Sequence, residues 1–430
     1  MKNMKNLSLT DVLQRSLHIS TDDVRPLVKY LDMSDDVLKH SPRDAAEKIA
    51  EQLRKTGSND IATLFRGSGV DYDEIVVDVG EKLKAKEVKK GKSVADNESA
   101  ILVKLFEDAL DQMSEEEKRA LFQSMGIKGY DIPFASTGTI IFQQLLAHYG
   151  GFATYRVSQI VANMVARALL GSGLAFASNA ALTRTIGAML GPIGWIATGV
   201  WLAVDIAGPA FRKTVPAVVH IAMLRQMLQR RVSIGLVGHG STGKDAMLGA
   251  VFSLKGNVNP VAGSTAQAMK YEIGDKGNAT VINYPGFGDF RASVTKETDD
   301  NLHRTDVFVM VVDIARGISG TEVEILEKLK KFNVPILVCL NKVDLARSEA
   351  DRASLRKAAM ERLGAALKNY PPSNLKKGLL PFVETSFDPD PRLGLAKEGA
   401  DKAHKWIVAC LEEHGKAPDA LPPFSAAAQA

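Results

Sequence analysis

Between Val232 and Leu248 the chain reads VSIGLVGHGSTGKDAML. A short β-branched apolar run breaks into glycines and resumes as an apolar-periodic helix, the strand, loop and helix context of a phosphate-binding loop. Gly238, Gly243 and Lys244 stand at the G-x-x-x-x-G-K spacing. The chemistry needs these types. Glycines let the backbone N–H groups of Ser241, Thr242 and Gly243 close around a polyphosphate. The helix start adds partial positive charge, and Lys244 supplies a point charge for the terminal phosphates. One position departs: where a Ser or Thr hydroxyl meets Mg2+, this chain has Asp245. A glycine turn without a ligand is the plain alternative, and the motifs farther along the chain decide between the two.

A chain of 430 residues is too long for one ordinary core, so two or three domains are expected. The formal net charge of +4 is small for this length and gives no reason to expect a nucleic-acid partner. Two cysteines, Cys339 and Cys410, cannot build a disulfide framework or a multi-cysteine zinc site, and both lie in apolar patterns that predict buried, reduced thiols. The opening MKNMKNLSLTDVL lacks a secretory apolar core, which favours the cytoplasm.

Residues 1–130 read as a helical domain. Ser41 caps a helix starting at Pro42 and ending near Gly57, and Ser114 with Glu117 forms a capping box before KRALFQSM. Glu81 to Lys92 is rich in lysine without interleaved aromatics, so it reads as a solvated helix end and linker. Residues 131–229 are a Gly/Ala-rich apolar helical segment. Thr185 to Val204 contains no charge, and a helix of about 20 residues just spans a bilayer. Gly191-Pro192 interrupts the run, while Arg184 and Asp205 bracket it. Membrane contact through 185–204 and a buried helical hairpin both stand as readings.

From 230 to 415 strand and helix patterns alternate. QAMKYEI and NATVINY flank a GDKGN turn as a hairpin, VFVMVVD and PILVCLNK are continuous apolar runs suited to central parallel strands, and TEVEILEKLKKF is amphipathic. LLPFVETS and the helix around AKEGADKAHKWIVACLEEH close the set. Such alternation predicts a doubly wound, mostly parallel α/β domain with its ligand at the carboxyl ends of the strands. Residues 416–430 are expected to be a disordered tail.

The C-terminal half resembles small GTPase domains of the translation-factor-related class, Era-type and septin-like members included, so an α/β P-loop GTPase domain follows an all-α domain. The likeness rests on the phosphate loop, on Asn341-Lys342-Val343-Asp344, and on Asn283-Tyr-Pro-Gly286-Phe-Gly-Asp289. It implies GTP or GDP as ligand with Mg2+. Asp344 can accept from guanine N1–H and the exocyclic amine, a donor pair that adenine lacks. Asn341 would tie the base loop to the phosphate loop, and the Lys342 stem would cover the base. Thr385-Ser386 aligns with the short motif whose backbone and Ser contact guanine, although the usual Ala is here Phe387. Gly286 and Thr265 take the places that sense the γ-phosphate, Ser264 being a second candidate for the latter. Asn283 stands where an Asp holds the water shell of Mg2+, so two departures, Asp245 and Asn283, fall on one metal position together with Thr265. Either they compensate, with the cation held directly by Asp245, or the metal function is lost. Phe287 replaces the water-orienting Gln, so a hydrolysing enzyme needs that group from elsewhere, a partner protomer in a homo-oligomer through the G domain being one source.

The first half resembles the uncharacterised bacterial YaaW-type family in DDVRPLVKYL, IATLFRGSGVDYDEIVVDVGEKL, QIVANMVARALLG, NAALTR, GPIGWIATGVW and DIAGPAFRKTVPAVVHIAMLR. That likeness implies no established activity. The chain as a whole reads as a guanine-nucleotide switch that hydrolyses GTP slowly through Lys244, Thr265 and Gly286, and acts on an unspecified protein partner through its helical half. Two rivals remain: a pseudo-GTPase that holds nucleotide without turnover, and a nucleotide-gated membrane-remodelling protein. An ATPase leaves Asn341 to Asp344 unexplained.

Overall fold

A computed structural model describes residues 7–57, 70–124, 132–149, 151–171, 174, 210–254, 268–273, 279–285, 302, 305–375, 378–390, 392, 394–416 and 421–425. The described residues form two compact units, one ending at Arg230 and the other beginning at Arg231. The expected division near residue 130 is not a boundary between compact units. The helices before and after it pack together.

The first unit is helical: α1 Leu9–Ile19, α2 Thr21–Tyr30, α3 Pro42–Gly57, α4 Tyr72–Lys82, α5 Val94–Asp111, α6 Glu115–Ser124, α7 Gly138–Tyr149, α8 Gly151–Leu170 and α9 Phe211–Arg230. Local chemistry starts them. Ser41 Oγ accepts from Asp44 N at 3.2 Å, and Ser114 and Glu117 exchange the two bonds of the expected capping box. Ser8 and Asp11 form another at the head of α1. The centre is α9, buried without interruption from Thr214 to Arg225 and packed against α1, α2, α5 and α8. Burial on every side makes α9 the interior helix of this unit, its His220 and Arg225 included. Residues 185–204 lie outside the described residues. Among the described residues no helix is long and apolar enough to cross a membrane.

The second unit is a six-stranded sheet in the order β2-β3-β1-β4-β5-β6. Its elements are β1 Val232–Val237, α10 Lys244–Phe252, β2 Met269–Ile273, β3 Ala279–Asn283, β4 Val307–Asp313, α11 Gly320–Lys330, β5 Ile336–Asn341, α12 Glu349–Leu367, β6 Phe382–Thr385 and α13 Ala400–Glu413. Only β2 runs antiparallel, paired to β3 as the expected hairpin. Alternation along each strand feeds two cores. Val307, Val309 and Val311 join α10 and α13 on one face, whereas Phe308, Met310 and Val312 join α11 and α12 on the other. Burial on both faces explains the continuous apolar runs of β4 and β5. Cys339 and Cys410 are buried free thiols, and burial pushes both up from the ordinary thiol range.

The tail departs from expectation over 421–425. Leu421 is only 5% exposed and belongs to the core on the α13 face, where Phe424 also packs. His404 Nε2 lies 3.0 Å from the Pro422 carbonyl. Two apolar residues spaced three apart within a Pro-rich stretch give the tail something to bury, which the compositional expectation of disorder overlooked.

Candidate functional site

Strand register alone assembles the site. Asp313 of β4 pairs with Asn341 of β5, and Asn341 pairs with Thr385 of β6, so three polar residues end three adjacent strands at the carboxyl edge. Leu236 of β1 pairs with Asn283 of β3 on the other side. Since β1 leads into a helix on one face and β4 into a helix on the opposite face, the phosphate loop sits where the winding direction reverses, the usual ligand crevice of such sheets.

The phosphate loop runs from Gly238 to Lys244. Gly238 has φ +149° and Gly243 φ +99°. A Cβ on Gly238 would stand 2.3 Å from the Val311 carbonyl, and one on Gly243 would stand 2.2 Å from Asn341 Nδ2. Both glycines are therefore required by close approach as well as by conformation. Ser241 takes the left-handed region at φ +61° without being glycine. The Lys244 ammonium curls onto the loop, donating to Gly238 O at 3.1 Å and His239 O at 2.8 Å. Thr242 Oγ1 donates to His239 O at 3.0 Å.

Asn341 joins this loop to the segment that follows β6. Its amide donates to Thr242 O at 2.8 Å, and its Oδ1 accepts from Thr385 Oγ1 at 3.2 Å and Phe387 N at 3.3 Å. The side chain is 3% exposed and all three contacts are internal, so it is a fixed strut. The Phe387 departure is harmless to this arrangement: its backbone N–H serves Asn341 while the ring, 1% exposed, packs in the core. Ser386 Oγ donates to Asp344 Oδ1 at 2.6 Å, which brings the two expected guanine-contacting residues together. Lys342, at φ +68°, sends its ammonium to Asp313 Oδ2 at 2.7 Å. Asp313 also accepts from Ala315 N at 3.1 Å and has Arg316 Nε at 3.4 Å. The sequence reading missed Asp313, although a carboxylate ending a fully apolar strand was a signal that it must find a partner.

At the position expected to hold a metal, the two departures meet. Asn283 Nδ2 donates to Asp245 Oδ1 at 2.7 Å. Asn283 is 1% exposed, and its Oδ1 is buried with no hydrogen-bond partner among the described residues. A lone buried acceptor beside a carboxylate is a pair of hard oxygens suited to a divalent cation. Burial, and secondarily the Asp245 charge, hold the Tyr271 phenol above its ordinary range. Thr265, Ser264, Gly286 and Phe287 lie outside the described residues.

Comparison with known proteins agrees with both halves of this picture. Residues 262–413 match the family described as Elongation factor Tu GTP binding domain, a match that begins after the phosphate loop. A segment of 120–127 residues is 28% identical to translation initiation factor IF-2 proteins; for that of Blochmanniella pennsylvanica it covers 29% of this chain and 14% of the factor. Among solved structures, Era of Aquifex aeolicus bound to GDP.AlF4- is 20% identical, covering 45% of this chain and 57% of that one at a TM-score of 0.30. The chain thus spans little more than half of that protein, and the assignment of the fold rests on the strand order and loop geometry. The helical half matches UPF0174 proteins of Helicobacter pylori strain J99. One is 41% identical over 206 residues, 47% of this chain and 78% of the relative; a second is 33% identical over 48% of this chain and 98% of the relative. With that identity spread over most of the relatives' length, the chain belongs to the UPF0174 family, while the likeness of its residues 262–413 to the GTP-binding domain of elongation factor Tu type is a match over that region.

Proposed function

We propose that the C-terminal unit binds guanine nucleotide and hydrolyses GTP to GDP and phosphate slowly, as a switch. The observation that carries this reading is the Asn341 strut, which locks the phosphate loop to the Asp344–Ser386 corner at a fixed separation. The Ser241, Thr242 and Gly243 amides would bind phosphate oxygens. Lys244 would turn from its two loop carbonyls, acceptors with which a phosphate competes for the ammonium, and neutralise the terminal phosphates. Asp344 would select guanine, the Lys342 stem would lie along the base, and Ser386 would steady the carboxylate. Thr265 and Gly286 would sense the γ-phosphate.

Asp245 and Asn283 Oδ1, with Thr265, would hold Mg2+. When bound, that ion would offset phosphate charge and the charge of Asp245. The Asn283–Asp245 hydrogen bond also favours a second reading, a nucleotide holder without turnover, because the pair satisfies part of its own demand. Calorimetry with GTP, GDP and ATP, with and without Mg2+, followed by phosphate release from the same samples, tests both. Mg2+-dependent guanine binding with slow release supports the switch. Retained guanine nucleotide with no release at any protein concentration supports the holder, and ATP binding equal to GTP binding rules out both.

The proposed output is a change in how residues 131–229 are held. Its support is continuity: α9 ends at Arg230 and β1 begins at Val232. Identical protease accessibility of residues 150–230 in nucleotide-free, GDP and GTP-analogue samples would refute it. A nucleotide-gated membrane role through 185–204 would show as nucleotide-dependent flotation with liposomes, lost on deleting that stretch.

A further inference from the structure

We propose that Arg352 is a positioning residue for recognition of the guanine exocyclic amine. The inference rests on the guanine reading of Asp344 and deepens it. Arg352 lies in the first turn of α12, the helix that follows the Asn341–Asp344 loop. Its guanidinium reaches two carboxylates at once. Nε and Nη2 approach the two oxygens of Glu384 at 3.3 Å each, while Nη1 and Nη2 reach those of Glu398 at 3.2 and 2.8 Å. Arg352 is 21% exposed and Glu384 19%, so this is a paired, partly desolvated fork and not a loose surface contact. The two carboxylates hold the guanidinium proton more tightly than usual, and Arg352 in turn keeps Glu398 below the ordinary carboxylate range.

What the fork clamps gives it a role. Glu384 is in β6, and Glu398 bridges to Ser386, the residue just past that strand. Ser386 and Glu398 exchange both backbone hydrogen bonds, at 3.0 and 2.9 Å. One residue on, Gly399 lies so close to β6 that a Cβ there would stand 2.1 Å from the Glu384 carbonyl, and it takes φ +78°. Ser386 emerges from this clasp with its Oγ on Asp344. A continuous path therefore runs from the helix after the recognition loop, through two carboxylates and one bridge, back to the recognition carboxylate. Arg352 closes that ring. The Ser386–Asp344 bond fixes which way the carboxylate faces. Contact with the exocyclic amine needs that aim more than contact with N1–H does, because both carboxylate oxygens must then lie in the base plane.

Inosine diphosphate keeps N1–H and lacks the exocyclic amine, so the ratio of GDP to IDP affinity reads the aim of Asp344 directly. The test is calorimetry on the full chain with GDP and IDP, for wild type, Arg352→Gln, Arg352→Lys and Glu398→Gln, with thermal melts of each. Wild type is expected to prefer GDP by about tenfold or more. Arg352→Gln should bring the ratio close to one, chiefly by weakening GDP. Arg352→Lys should retain part of the preference, and Glu398→Gln, which cuts one arm at the more exposed carboxylate, should lose part of it. A purely structural role would lower the melting temperature and weaken both ligands equally, leaving the ratio at its wild-type value; that result would overturn the proposal. If Arg352→Gln does not fold, the Glu398→Gln ratio decides alone. A wild type that binds neither ligand, or both alike, would instead remove the guanine reading on which the proposal stands.

Discussion

The two units place polar residues inside the protein for different ends. In the helical unit, Arg225 and Glu98 are 1% and 2% exposed at the side chain and meet at 2.5 Å across α9 and α5. Tyr72 OH donates to Glu98 at 2.8 Å, and Arg225 Nη1 donates to the Leu7 carbonyl at 2.8 Å. These partners come from four separate stretches and lie deep among apolar helices, so the network specifies packing. In the α/β unit, Asn341, Asp344 and Asn283 end strands or follow them at one edge, and their contacts hold loops. There a buried acceptor, Asn283 Oδ1, has no hydrogen-bond partner among the described residues and lies beside a carboxylate. The difference teaches that burial of a charge does not by itself mark a site. A polar cluster at a sheet edge with unused capacity is a better indication.

Three changes would break or sharpen this contrast. The largest effect on nucleotide binding is expected from Gly243→Ala. Its new Cβ would collide with the Asn341 amide at a backbone angle that disfavours side chains, adding strain and breaking the strut. Affinity for GDP measured by calorimetry should fall by roughly 100-fold or more. Urea unfolding of the helical unit should be unmoved.

Arg225→Met inverts that pattern. Glu98 would be left as a buried charge with no cation, a loss of about 3–5 kcal/mol in the unfolding of the helical unit. The GDP-to-ADP affinity ratio should not move. Adding Glu98→Gln should recover much of the loss, because the uncompensated charge is then gone.

The smallest effect is pH dependence at His220. Burial, opposed by the contact of its Nε2 with the Asp23 carbonyl at 2.7 Å, lowers this ring from 6.5 to about 4. The folded unit therefore holds the neutral ring while the unfolded chain takes up a proton. Its contribution is fully present above pH 6.5 and is lost as pH falls toward 4, on the order of 3 kcal/mol at most. Denaturant melts at pH 7.5 and pH 5 should show a larger drop for wild type than for His220→Leu. Equal drops would mean that the ring is not held neutral.

How far the sequence showed all this depends on the range of each interaction. The phosphate loop and the Asn341–Asp344 loop were legible because their chemistry is carried by residues close together in the chain. The hairpin, the buried strands and the Ser41 and Ser114 caps were legible for the same reason. Asp313, Arg352 and Glu398 were not, since each acquires its role only from strand register or from a partner 29 to 46 residues away. The Asn283–Asp245 contact spans 38 residues, so the sequence marked both as departures but could not show that they bond to one another. The state of His220 was not legible either, because nothing local indicates that α9 is buried all round.

The guanine reading turns on Asp344 as the residue that selects the base. Its most direct test is calorimetry of wild type and Asp344→Asn with GDP, ADP and xanthosine diphosphate. Wild type should bind GDP at least roughly 100-fold more tightly than the other two, because a fixed carboxylate needs the paired donors of guanine. In Asp344→Asn the amide can donate to the 2-carbonyl of xanthine, so the preference should pass from GDP to xanthosine diphosphate. A wild type that binds GDP and ADP alike, or a variant whose preference is unchanged, would contradict the account.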